Sequence, residues 1–188
     1  MNRILNSLCM RTLIVVIALM PAIFGCSQNT QKATETNSSI ETLDNKVTTE
    51  SADYVFDGKI ITKPDSVWQK ELNGMTYYVM RQAGTERPFQ NAYYDNHEKG
   101  IYYCAACGLP LFSSETKFDS GTGWPSYYTP INDLNIGKDT DLDIGYVRTE
   151  VHCARCDGHL GHVFDDAPQT PTGLRYCINS ASLVFKKQ

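Results

Sequence analysis

Two Cys-x-x-Cys pairs, Cys104-Ala105-Ala106-Cys107 and Cys153-Ala154-Arg155-Cys156, stand 45 residues apart in a chain of 188. A two-residue spacer lets both sulfurs of a pair reach one tetrahedral ion at about 2.3 Å, and two pairs close a four-thiolate shell with no position left for water. Such a metal is structural. The interval is too long for a compact zinc ribbon, so distant strands must carry the pairs to one place. The surroundings repeat as well: Cys107-Gly108 and Cys156-Asp157-Gly158 are each followed by a leucine and later a phenylalanine, as in two like knuckles. Two other arrangements use the same residues: two disulfides, usual for even cysteine numbers in an exported chain, or a redox dithiol. The expectation is one structural zinc per chain.

Cys177 stands outside that set. It lies in Gly173-Leu174-Arg175-Tyr176-Cys177-Ile178-Asn179-Ser180, a run of β-favouring residues. Alternation puts Arg175, Cys177 and Asn179 on one face, with Tyr176 and Ile178 on the other. A lone cysteine is ordinarily a small buried hydrophobe. A guanidinium on the same face favours the reactive thiolate, which makes Cys177 the candidate nucleophile. His159 and His162, three apart just after the second knuckle, can project together beside a site. A second metal site is the competing reading of that pair. His97 and His152 read as surface or satisfied core residues.

Aromatic residues make up 11% of the chain, with eleven tyrosines, which favours β structure. Pro64-Asp65-Ser66 opens a short helix with Val67/Glu71 and Trp68/Leu72 one turn apart, and Asn73-Gly74 stops it. Residues 75–80 fit a strand or a helix equally well. Strands are expected at 101–103, 109–112, 144–151, 174–179 and 182–185, separated by loops rich in Gly and Pro. The fold class is mainly β, compact and antiparallel.

The first 26 residues read as a leader. Arg3 and Arg11 precede an apolar run of about 12 residues, too short to span a bilayer and right for a secretory signal. Ile23-Phe24-Gly25-Cys26 resembles the lipobox of bacterial lipoproteins, which implies a lipid on Cys26 and an exported, membrane-anchored chain. Phe24 is bulkier than that pattern usually shows, so plain cleavage or an uncleaved leader stays open. Residues 27–63 read as a polar tether of roughly 30–35 Å r.m.s. span, with Tyr54-Val55-Phe56 a docking contact that the sequence leaves undecided. Residues 64–188 form the folded domain. A net charge of −4 and no basic stripe exclude nucleic-acid binding. Monomer is the default state.

Six stretches together resemble the B-type methionine sulfoxide reductases: Gly84-Thr85-Glu86-Arg87-Pro88-Phe89, Phe118 to Ser126, the two Cys pairs, His159-Leu160-Gly161-His162-Val163-Phe164 and Arg175 to Ser180. The resemblance runs from Trp68 to the end, in the family's order. It implies two antiparallel sheets joined by a four-cysteine zinc, and reduction of methionine-R-sulfoxide, free or in oxidised proteins. It places the nucleophile at Cys177, polar active-site groups at His159, His162 and Asn179, and the methyl-binding ring at Trp124, with Arg175 beside the substrate. Many members carry a second cysteine where this chain has Thr122. The sulfenic acid on Cys177 is therefore expected to be reduced directly by an external thiol, such as a thioredoxin-like protein. The loop 165–172 also reads one residue longer than usual. A membrane-tethered, zinc-stabilised binding module without catalysis is the alternative; it leaves the polar face around Cys177 unexplained.

Overall fold

The computed structural model describes residues 54–142 and 145–188. The leader, Cys9, Cys26, most of the tether and Ile144 lie outside the described residues.

Two helices open the domain. α1 (Asp65–Glu71) starts after Pro64 and buries Trp68. α2 (Gly74–Gln82) comes at once after it, capped by Asn73, whose side-chain oxygen accepts the Thr76 N–H at 2.9 Å. Asn73-Gly74 thus ends one helix and begins another, which settles residues 75–80 as helical. An Asn cap satisfies an amide that the first turn leaves unpaired. α2 buries Thr76, Val79 and Met80.

Among the described residues, nine strands then form two antiparallel sheets. β1 (Gly100–Cys104), β2 (Pro110–Ser113) and β9 (Leu183–Lys187) make one, in the order β2-β1-β9. The other contains β3 (Lys117–Phe118), β4 (Ser126–Tyr127), β5 (Ile136–Asp141), β6 (Arg148–Cys153), β7 (His159–Ala167) and β8 (Gly173–Ile178). Its order is β3-β4-β8-β7-β6-β5. Mainly β, two-sheet architecture is what the sequence leads one to expect; strands β3, β4, β5 and β7 are additions to it. β5 is polar at most positions, with Lys138 and Asp139 exposed, so it shows no apolar alternation. Between the sheets Tyr102, Phe112, Tyr127 and Tyr176 are buried, with Phe112 and Tyr127 stacked at 4.4 Å between centroids. Aromatic pairs of this kind add about 0.5–1.5 kcal/mol each beyond their buried area.

Residues 54–63, assigned by sequence to the tether, lie against the domain. The Phe56 N–H donates to Asn135 Oδ1 at 2.7 Å, Asn135 Nδ2 donates to the Tyr54 carbonyl at 2.6 Å, and the Ile61 N–H donates to the Arg155 carbonyl at 2.7 Å. The docking contact that the sequence leaves undecided at Tyr54–Phe56 is made through Asn135, which is fully buried.

Candidate active site and metal centre

β1 from one sheet and β6 from the other each end in a cysteine knuckle. The two knuckles are built alike. In each, the first cysteine N–H donates five residues ahead (Cys104 to Leu109 O, 2.8 Å; Cys153 to Gly158 O, 2.9 Å). In each, the N–H four residues on returns to the first cysteine carbonyl (Gly108 and Asp157, both 2.9 Å). That fourth position takes a left-handed backbone, φ 73° at Gly108 and φ 58° at Asp157. Glycine and aspartate tolerate it, which explains the offset between the two sequence repeats.

The four sulfurs lie within 4.8 Å of one another. Cys104 Sγ and Cys156 Sγ are 3.6 Å apart, Cys107 Sγ and Cys153 Sγ 3.5 Å, and no disulfide joins them. A tetrahedron with metal–sulfur bonds of about 2.3 Å has edges of about 3.8 Å, so the set fits one metal ion. Each pair of close sulfurs crosses between knuckles, so a metal there ties the two sheets together.

Cys177 lies on β8, outside that centre. In register it faces Ser126 on β4 and His162 on β7, and His162 faces Glu150 on β6. Residues directly opposite on antiparallel strands share a face. A row of Ser126, Cys177, His162 and Glu150 therefore crosses the sheet. Cys177, His162, Asn179 and Trp124 line one cavity of about 140 Å³, with Thr85, Arg148 and Phe164.

Each group has a fixed orientation. The His162 Nε2–H donates to Asp141 Oδ2 at 2.7 Å. A carboxylate accepts only, so a neutral His162 keeps Nδ1 as an acceptor. Burial lowers its pKa, opposed by the hydrogen bond to Asp141 and reinforced by the nearby Arg148 charge. His162 is therefore neutral at pH 7. Trp124 is pinned by its indole N–H, which donates to the Glu86 carbonyl at 3.1 Å. Asn179 accepts the Glu86 N–H at 3.1 Å and donates to the Leu160 carbonyl at 3.0 Å, so its amide braces the site. The buried Glu86 carboxylate in turn takes the Ser180 and Ala181 N–H groups.

Two residues expected at the site, His159 and Arg175, are not among those lining the cavity. His159 is buried, its ring 5.4 Å from that of His162, and its Nδ1–H donates to Glu150 at 2.5 Å. Arg175 commits its guanidinium to Asp166 through two bonds of 2.8 and 2.6 Å and lies over the Phe164 ring at 4.4 Å. The expected thiolate-favouring effect of Arg175 on Cys177 exists but does not prevail. Burial pushes the Cys177 thiol up; Arg175 and the hydroxyls of Thr122 and Ser126 pull less strongly the other way. In the free enzyme the group is a thiol at neutral pH. We predict that alkylation of Cys177 by iodoacetamide keeps rising, about tenfold per pH unit, to and beyond pH 9, because only the thiolate reacts. A plateau near pH 7 would contradict this.

Asp141, Arg148 and Glu86 are site groups that the sequence reading passes over. Asp141 and Arg148 are register partners across β5 and β6, joined at 2.5 Å, and become visible only once that hairpin is drawn. Glu86 does carry a signal: it is the acid inside the Gly84–Phe89 loop.

Thr122 occupies the position from which a second cysteine acts in many members of the resembled family. Its Oγ1 is 3.9 Å from Cys177 Sγ and 2.8 Å from Ser120 Oγ. We expect Thr122→Cys to form a disulfide between the introduced thiol and Cys177 on oxidation, with both thiols lost to Ellman's reagent. If that variant keeps both thiols after oxidation, the two side chains do not meet.

A thiol in a small cleft with an oriented imidazole beside it, and a separate four-cysteine set that could hold a metal, define a candidate cysteine-dependent enzyme site on a two-sheet β scaffold. A family model described as the SelR domain matches residues 72–187. The chain is 56% identical over 128 residues to the peptide methionine sulfoxide reductase MsrB of Leptospira interrogans, covering 68% of this chain and 97% of that protein. It is 58% identical over 123 residues to the MsrB of Thiobacillus denitrificans (65% and 92% covered). Against the chloroplastic peptide methionine sulfoxide reductase B1 of Oryza sativa it is 59% identical over 124 residues (65% and 57% covered). The chain belongs to the SelR-domain family of B-type peptide methionine sulfoxide reductases.

Proposed function

We propose that this chain reduces methionine-R-sulfoxide, free or within oxidised proteins, to methionine, using Cys177 as nucleophile and an external thiol as reductant. The observation that carries this reading is the placing of Cys177, His162 and Trp124 around one small cavity. The sulfoxide sulfur meets Cys177, and its methyl group lies against the indole, an apolar wall. Cys177 gives up its proton as it attacks; His162 Nδ1, the available acceptor, takes that proton and delivers it to the sulfoxide oxygen. Attack joins the Cys177 sulfur to the sulfoxide sulfur; the protonated oxygen then passes to the Cys177 sulfur as the S–O and S–S bonds break, methionine leaves with the electron pair of the S–S bond, and Cys177 is left as sulfenic acid. Two equivalents of an external thiol then restore Cys177, releasing water and a disulfide. With Thr122 beside it, Cys177 has no thiol to turn to among the described residues, since the other four form the metal set. A thioredoxin-like protein fits that need.

His162→Asn removes the proton carrier while keeping a polar side chain. We expect kcat/KM to fall about 10²–10³-fold, the usual scale for a general acid–base group. A loss under fivefold would remove His162 from the mechanism. The reading as a whole is tested by offering the purified protein each sulfoxide epimer with dithiothreitol. Turnover of the R epimer alone is the expected result; turnover of neither, or of the S epimer alone, contradicts it.

The metal is proposed to be zinc, one per chain, since four thiolates in a closed tetrahedral set suit it and leave no catalytic position. A metal-bound thiolate is also protected from the oxidising surroundings of an exported protein. Export and lipid attachment at Cys26 are proposed from residues 1–26, with 27–53 as tether and the folded part beginning near residue 54. Incorporation of labelled palmitate by the producing cells, lost in Cys26→Ala, is the expected result; equal labelling of both would rule out lipidation at Cys26. A monomer is proposed.

A further inference from the structure

Phe89 has two properties that a loop residue rarely combines. Its backbone is left-handed, φ 58°, and its side chain is 57% exposed. A bulky non-glycine residue in that region is a steric outlier, held only where the surroundings over-determine it. They do so here. The Phe89 N–H donates to the Gly123 carbonyl at 2.9 Å, and Asn91 Nδ2 donates to the same carbonyl at 2.7 Å. The Phe89 ring lies over Gly123, where a Cβ would fall 2.7 Å from it. Tyr94 meets Phe89 edge-on at 5.8 Å between centroids. The fold therefore holds an aromatic corner out towards solvent.

That corner lines a cavity of about 370 Å³ whose wall includes Trp124. Trp124 also lines the cavity of Cys177. A single indole thus stands between the place of the sulfoxide and an aromatic recess. In an extended peptide, neighbours on either side of a residue lie about 3.3 Å away along the chain, and those two positions off about twice that.

We propose that Phe89 and Tyr94 form a subsite for an aromatic or large aliphatic side chain within two positions of the oxidised methionine in a peptide or unfolded protein. The inference rests on the sulfoxide-reduction reading above. Asp95, His97, Lys117 and Asp119 also line the recess, with His97 paired to Asp95 at 3.0 Å and the Lys117 amine donating to the Tyr94 carbonyl at 3.0 Å. The acidic and basic groups of the rim offset one another, so the recess selects through its aromatic wall and an acidic side chain gains nothing there.

The test compares kcat/KM on short peptides with methionine-R-sulfoxide in a glycine background, and with Phe or Glu placed at each position within two of it. At the best position the wild type should prefer Phe over Gly by about tenfold, the scale of an added aromatic contact, and Glu should show no such gain over Gly. Phe89→Asn accepts the left-handed backbone and removes the ring; with it the Phe-to-Gly ratio should fall towards one, and Phe89→Tyr should restore it. A ratio near one in the wild type, or one unchanged in Phe89→Asn, overturns the subsite. Equal loss on all peptides in Phe89→Asn also overturns it, because the loop then acts only structurally. Failure of the wild type on every sulfoxide peptide would instead strike the underlying reductase reading.

Discussion

Cys177→Ser should reduce methionine-R-sulfoxide turnover to less than about one ten-thousandth of wild type, the scale on which enzymes lose rate when their nucleophile is removed. Cys177 is only partly exposed and its strand is paired on both sides, to Ser126 on β4 and His162 on β7. Serine fits the same space. A hydroxyl, however, is a far weaker nucleophile than a thiolate and forms no sulfenic acid with the abstracted oxygen. The variant should keep the melting temperature within a few degrees and the metal content of wild type, so the loss is chemical. Residual activity above one per cent would show that another group attacks the sulfur.

Removing the metal should unfold the domain. Structural zinc sites in small peptides contribute about 10–16 kcal/mol apparent binding free energy, while a domain of this size is stable by about 5–15 kcal/mol in total. Here the centre joins β1 of one sheet to β6 of the other, and Cys104, Cys153 and Cys156 are buried. Without the ion, four sulfurs within 4.8 Å are left to repel as thiolates or to pack as thiols with no common partner. Chelation in mild denaturant, or Cys104→Ser, should abolish the cooperative thermal transition. In the native protein, Ellman's reagent should find one reactive thiol among the five of the domain, Cys177, and all five after chelation. A transition unchanged by complete metal removal would make the centre dispensable to the fold.

The sequence makes the metal set legible because CxxC spacing is a local constraint: two residues fix the reach of both sulfurs. The nucleophile is legible by its chemistry, as the cysteine left over, and by the motif around it. The partners of His162 are different. Asp141 reaches it from β5, a strand whose exposed charges give no apolar period, and Arg148 meets Asp141 only through the β5–β6 register. Such partners follow from pairing, which spacing does not reveal. Arg175 shows a different limit. Its place in the alternation is right, but Asp166, nine residues upstream and brought close by the β7–β8 hairpin, claims its guanidinium. Alternation places Arg175 beside Cys177, which it does influence, but does not reveal the carboxylate that shares its guanidinium. The second helix stays undecided from sequence for a related reason: Asn73-Gly74 reads as a stop, yet Asn73 is itself the cap of the next helix.

The most direct measurement is a single turnover with no reductant. Protein freed of small thiols is mixed with excess methionine-R-sulfoxide, the methionine formed is counted, and the oxidised chain is trapped with dimedone and mapped. The mechanism predicts one methionine per chain, a dimedone adduct on Cys177, and the four metal-binding cysteines unmodified. A disulfide between Cys177 and any other cysteine, or methionine formed with Cys177 still a free thiol, would contradict it.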